Sequence, residues 1–246
     1  MEKILGAAIG NRPVPRIKEL REIRLVPESY PDERTIGLVN RFAQSYGEDL
    51  VLYGGLTATE RIYGRKRIRD MTTDLDWACT PDGLEAVLAG ERVFYHEAYD
   101  ILYTVVENVP VTFAFGHIHD WPVGEGFFAS TRPMSPFGMP VRCCSREHSI
   151  MLKMRRIVEL QARGAQPFGK DALDILNMLA APYCRDGLEA FDVDALCALI
   201  RDNVEARPSG LAAALLFVRG YEAHLTAAEC GSVSGVLDAM SAVFAA

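Results

Sequence analysis

Two hydrophobic periodicities divide this chain. Up to about residue 144, short apolar runs alternate with Gly, Pro and Asn; from Arg146 onward, apolar residues recur at three- and four-residue spacing. The first pattern predicts strands separated by turns, the second amphipathic helices. Pro31-Asp32-Glu33 opens a helix, with proline in the first turn and acids favouring the dipole. Ile36, Val39, Phe42 and Ala43 carry it to Tyr46, and Gly47 ends it. Asp49–Tyr53 reads as a strand, Gly54-Gly55 as a turn and Leu56–Tyr63 as a short helix. Thr73–Cys79 is a second strand, and Thr80-Pro81-Asp82 starts a helix to about Ala89. Arg92–Glu97, Ile101–Glu107 and Val111–Phe115 are β-rich, with Asn108-Val109-Pro110 as a break. Residues 116–140, rich in Gly and Pro, read as a loop, and Val141–Cys144 as a last short strand. Helical segments are predicted near 146–163, 170–181, 193–203, 209–226 and 233–245, punctuated by Gly164, Pro182, Pro208 and Gly231. Residues 1–30, with Pro13, Pro15 and Pro27, form an N-terminal arm with one short helix near Ile17–Arg24. The expected organisation is an arm (1–30), an α+β domain (31–144) and a helical domain (145–246).

Within the strand region two carboxylates stand out. Asp74 and Asp76 flank Leu75 in the run Leu75-Trp77-Ala78, and alternate strand residues share a face. Aspartate is disfavoured in strands, so a pair there suggests a site for a hard cation; solvated acids at a strand end are the plainer alternative. Gly54-Gly55, between strand and helix, lets backbone N–H groups approach a phosphate, or is simply a tight turn. Arg61, Arg65, Lys66, Arg67 and Arg69 lie between these two features. They form either a solvated basic loop or a phosphate and nucleic-acid contact.

Lys153 falls inside the apolar arc formed by Ile150, Met154, Ile157, Val158 and Leu160, with Arg155, Arg156, Glu159 and Arg163 on the other side. A lysine there must snorkel or meet an anion, either a triphosphate or a structural carboxylate. Asp171 and Asp174, following Lys170, share a helix face, and first-turn dipole stabilisation explains them without chemistry. His117 and His119 offer an H-x-H pair with no supporting ligand cluster.

Composition narrows the function classes. The 246 residues are 49% hydrophobic and 24% charged, within the globular range. With 26 Lys+Arg against 33 Asp+Glu, the net charge of −7 restricts any nucleic-acid contact to a local basic patch. Six cysteines without a CxxC pair read as reduced thiols. Ile4 to Ile9 is too short and wrongly flanked for a signal peptide, and no stretch reaches the length of a membrane span, so a cytoplasmic location is expected.

The ordered set Leu52-Tyr53-Gly54-Gly55-Leu56-Thr57-Ala58, Arg69, and Thr73-Asp74-Leu75-Asp76 resembles the start of the AbiEii-type nucleotidyltransferase family, which includes MenT-like toxins that modify tRNA 3′ ends. The Ser145–Lys153 segment and Lys170-Asp171-Ala172-Leu173-Asp174 look like its second half, so the resemblance covers about residues 50–180. It implies an α+β fold: a nucleotidyltransferase-like mixed-sheet domain with a C-terminal helical domain. It also implies Mg²⁺ on Asp74 and Asp76, and nucleotide contacts from Gly54, Gly55, Thr57, Arg69, Thr73 and Lys153. Asp174 would be a base or positioning acid, Asp171 a secondary one, and Arg61, Arg65, Lys66 and Arg67 would contact RNA. The expected function is Mg²⁺-dependent transfer of a nucleotide from an NTP to an acceptor, with tRNA first, as the toxin of a toxin–antitoxin pair with a cognate antitoxin. The alternatives are a nucleotide- or protein-binding module without turnover, or an enzyme that modifies proteins. Two departures stand out. Lys170 replaces the family's arginine and loses its bidentate fork. No third carboxylate appears in Val111–Phe115, so a single cation is the economical reading.

Overall fold

A computed structural model describes residues 16–17, 33–61, 74–96, 101–119, 121–134, 140–180, 191–204 and 208–244. The α+β expectation holds: a mixed eight-stranded sheet is accompanied by helices, and the C-terminal part is helical. The chain divides into two compact units. One comprises Met1–Leu56, Met71–His117 and Val123–Cys143; the other comprises Thr57–Asp70, Ile118–Pro122 and Cys144–Ala246.

The sheet unit is built from β1 (Arg16–Ile17), β2 (Leu50–Tyr53), β3 (Leu75–Cys79), β4 (Phe94–His96), β5 (Ile101–Val106), β6 (Val109–Ala114), β9 (Arg132–Met134) and β10 (Val141–Cys143). Their order is β1-β4-β5-β6-β3-β2-β10-β9. The centre is mixed: β3 runs antiparallel to β2 and parallel to β6, and β10 runs parallel to β2. All four residues of β2 are buried, which explains why Leu50-Val51-Leu52-Tyr53 shows no polar alternation. Helix α1 (Glu33–Tyr46) covers one face. Its Phe42 ring lies 6.0 Å from Trp77 and 5.8 Å from Phe113, which are register partners on β3 and β6. Helix α2 (Gly55–Arg61) follows β2 in the chain, and α3 (Pro81–Gly90) follows β3 and packs on it. Thr80 caps α3 by accepting from the Gly83 N–H at 3.1 Å.

Three sequence expectations change here. The break at Asn108-Val109-Pro110 is a two-residue turn at Glu107-Asn108, both with positive φ (52° and 64°). The strand resumes at Val109, and Pro110 pairs opposite Val105, one residue before β3 begins to pair at Val111. Its missing N–H therefore interrupts no ladder. Residues 116–140 are not simply a loop: they hold β7 (His117–Ile118), β8 (Trp121–Pro122), α4 (Glu125–Ala129) and sheet strand β9. Ile17 belongs to β1, which pairs with β4; the rest of the helix expected at 17–24 lies outside the described residues.

The helical unit centres on α5 (Arg146–Ala162), which packs against α6 (Gly169–Ala180), α7 (Val193–Val204) and α8 (Pro208–Arg219). A fifth helix, α9 (Ala227–Ala242), packs on α6, α7 and α8. It starts earlier than expected because Thr226 and Glu229 form a capping box, and Gly231 lies within it. Among the described residues, no helix is long and apolar enough to cross a membrane.

Candidate functional site

Register determines which residues meet across the sheet. Tyr53 of β2 pairs with Asp76 of β3, Asp76 with Thr112 of β6, and Thr112 with Tyr103 of β5. Side chains in register share a face. This row therefore lies on the face opposite Trp77 and Phe113. Thr112 donates its hydroxyl proton to Oδ1 of Asp76 at 2.7 Å and is also hydrogen-bonded to the Tyr53 phenol. Burial, then the charge of Asp76, pushes the Tyr53 phenol well above its ordinary pKa; Asp74 adds in the same direction. Asp74 and Asp76 are both half-buried, alternating with buried Leu75 and Trp77, and both act on Tyr53. The i, i+2 spacing thus brings the two carboxylates to the Tyr53 side of the sheet.

Gly54 follows Tyr53 with φ +81°. A Cβ there would meet Oδ2 of Asp76 at 2.1 Å, so only glycine admits this carboxylate. Helix α2 begins at Gly55, and Thr57 is fully buried on it. Asp74 and Asp76 make a pair of oxygen donors; among the described residues, no three His, Cys, Asp or Glu side chains cluster to hold a metal. That donor set fits a hard cation of the Mg²⁺ type, which takes one or two carboxylates and completes its shell with water and substrate phosphates.

In the helical unit, α6 presents Asp171 and Asp174, both fully buried, to Lys153 of α5. Lys153 Nζ lies 2.6 Å from Asp174 Oδ2 and 3.1 Å from Asp171 Oδ1, and Arg156 Nε lies 3.7 Å from Asp171 Oδ2. The anion that meets Lys153 here is a carboxylate pair. Asp171 and Asp174 thus lie buried in the helical unit as the partners of Lys153. Arg155, expected on an exposed side, is buried and donates Nε–H to the His119 carbonyl at 3.3 Å. A hub helix covered by three others leaves little polar face. His119 Nδ1 lies 2.8 Å from Glu159 Oε2, a hydrogen bond that holds the Glu159 carboxyl below its usual range, so this ring nitrogen is engaged by a carboxylate.

Arg65, Lys66, Arg67, Arg69 and Thr73 lie outside the described residues, as does the Arg61 side chain. Sequence reasoning missed Tyr53 and Thr112. Tyr53 was visible as a polar atom ending an apolar strand, whereas Thr112 becomes significant only through strand pairing.

No protein-family model matches the chain, and no curated protein matches it. Among solved structures it is similar to the antibiotic-resistance factor ANT(2'')-Ia, at 20% identity over 71% of this chain and 95% of that one, with TM-score 0.46. It is also similar to an antigenic nucleotidyltransferase-like protein from Paracoccidioides brasiliensis, at 19% identity over 76% of this chain and 94% of that one, with TM-score 0.43.

Proposed function

We propose that this chain is a nucleotidyltransferase that moves a nucleotide from an NTP to an acceptor. The observation that carries the reading is the approach of Asp76 to Gly54, with Asp74 two residues earlier on the same side of the sheet. Asp74 and Asp76 would hold Mg²⁺, which supplies charge stabilisation for the phosphates. An acceptor oxygen attacks the α-phosphorus, the bond to the β-phosphate oxygen breaks, and pyrophosphate leaves. Gly54, Gly55, Thr57, Arg69 and Thr73 are proposed nucleotide contacts, following the AbiEii-type resemblance. Lys153 is the proposed triphosphate contact and Asp174 the positioning acid; for this, the Lys153 ammonium must exchange a carboxylate for a phosphate.

RNA, with tRNA first, is the proposed acceptor, and a cytoplasmic toxin with an antitoxin partner is the proposed setting. Supporting an RNA acceptor, Phe168 is 47% exposed, with the Arg156 guanidinium 5.2 Å and the Lys170 ammonium 5.6 Å from its ring centre. Exposed aromatics beside cations suit stacked, unpaired bases.

The test is release of pyrophosphate from each NTP with Mg²⁺ and total RNA or total protein, tracking labelled nucleotide. Labelled RNA supports the reading, provided Asp74→Asn and Asp76→Asn abolish it. Labelled protein makes the chain a protein-modifying enzyme. Nucleotide binding without pyrophosphate release favours a binding module, a reading that the absence of a carboxylate on β6 supports.

A further inference from the structure

We propose that Thr112 is a positioning residue for Asp76, and that its hydroxyl takes the place on β6 from which a third carboxylate would reach the same cation. The inference rests on the reading of Asp74 and Asp76 as cation ligands.

Thr112 is the β6 residue in register with Asp76, and its hydroxyl is 2.7 Å from Oδ1. A threonine hydroxyl carries one proton, and an ionised carboxylate only accepts. That proton therefore lies on the Thr112–Asp76 bond. The result is a charge-assisted bond from β6 to the carboxylate on β3. It holds Oδ1 from the β6 side while Oδ2 is directed at the Gly54 turn. A hydrogen bond that orients a ligating carboxylate typically changes metal affinity about 10- to 100-fold.

Among the described residues, the site then has two carboxylates, Asp74 and Asp76. Its cation affinity should then be weak in the apo protein and rise when a triphosphate adds oxygens. Thr112→Asp would insert a third acid at a position of similar size, already facing Asp76.

The experiment is Mn²⁺ binding by electron paramagnetic resonance, with and without a non-hydrolysable NTP analogue, alongside melting curves. Wild type should bind Mn²⁺ more tightly with the analogue. Thr112→Val, matched in shape, should weaken that binding about 10-fold or more, with Thr112→Ser restoring it and a melting temperature near wild type. Thr112→Asp should bind Mn²⁺ without nucleotide at least about 10-fold more tightly than wild type, and its melting temperature should rise when Mn²⁺ is added. Equal Mn²⁺ affinity in wild type and Thr112→Val overturns the positioning role alone. No gain in Thr112→Asp overturns the idea of a vacated third-acid position. Absence of Mn²⁺ binding by wild type, even with the analogue, overturns the reading of the site itself and this inference with it.

Discussion

Asp76 occupies the space that a side chain on Gly54 would need: a Cβ there would stand 2.9 Å from the Asp76 Cγ as well as on top of Oδ2. The glycine and the carboxylate are thus one structural unit, and Gly54→Ala should displace Asp76. Gly164 supplies the comparison, because it too has positive φ (+70°) but nothing within 4 Å of its added Cβ. Gly164→Ala should lose about 1 kcal/mol of stability, from backbone strain alone, and keep Mn²⁺ and nucleotide binding. Gly54→Ala should lose more stability and at least about 10-fold in binding. Denaturation and Mn²⁺ titration of both variants check this; identical behaviour would remove the claim.

Lys153→Ala should destabilise the helical unit by about 3–5 kcal/mol, because it strips the ammonium from two fully buried carboxylates. Arg156, at 3.7 Å from Asp171, offsets only part of that. Lys153→Met combined with Asp171→Asn and Asp174→Asn should recover most of the loss, since neutral groups carry less desolvation penalty. Urea midpoints for the single and triple variants decide the matter. Loss of activity in Lys153→Ala therefore reports on phosphate contact only after correction for the folded fraction.

His148 gives the molecule an acid-sensitive element. It is stacked on Trp121 at 5.4 Å, and Ser145, the cap of α5, lies 2.9 Å from its Nδ1. Burial pushes its pKa from 6.5 down to about 4. The unfolded chain therefore takes up a proton first as pH falls below 6.5. Stability drops progressively between 6.5 and about 4, by up to about 3 kcal/mol, and the contribution is absent above that window. His148→Phe keeps an aromatic ring but cannot titrate, so its urea midpoint should fall less than that of wild type between pH 7 and 4.5. Parallel falls would exclude His148 as the source.

Phe168→Ala should weaken binding of unstructured RNA about 5-fold or more, the usual loss for a base-stacking aromatic, while leaving NTP affinity unchanged. Reversing Arg65, Lys66 and Arg67 to glutamate should reduce RNA labelling in the same selective way. Filter binding with tRNA and with unpaired RNA measures the first, and label transfer the second. Unchanged RNA affinity in Phe168→Ala would move the acceptor away from this face.

Local pattern carried much of this architecture. The Tyr53-Gly54-Gly55 end of β2, the Asp74–Asp76 alternation and the helical second half all rest on residues near one another in sequence, where periodicity and turn chemistry act. The partner of Lys153 was not legible, because a helical wheel shows that an anion is needed but not which helix supplies it. Thr112 was hidden for a similar reason: in isolation it is a polar residue in a β-run, and only the parallel β3–β6 register sets it beside Asp76. Arg155 looked solvated because amphipathicity assumes one wet face, and α5 is enclosed by three helices. Pro110 looked like a break because proline usually is one. The Thr226-x-x-Glu229 box was readable and marks the true start of α9.

The row Tyr53–Asp76–Thr112 has a consequence for quality control during folding. If β3 slipped by one residue against its neighbours, every side chain on it would change face. Trp77 would leave the apolar layer it shares with Phe42 and Phe113, and Asp76 would enter that layer. Either error is expensive: exposing a large apolar side chain forfeits about 2–3 kcal/mol, and burying an unpaired carboxylate costs more. A chain with misplaced acids is thus also one that has failed to close its hydrophobic layer. Misassembled copies should be recognisable to proteases as unfolded, so the population that survives consists of molecules whose acids stand in register.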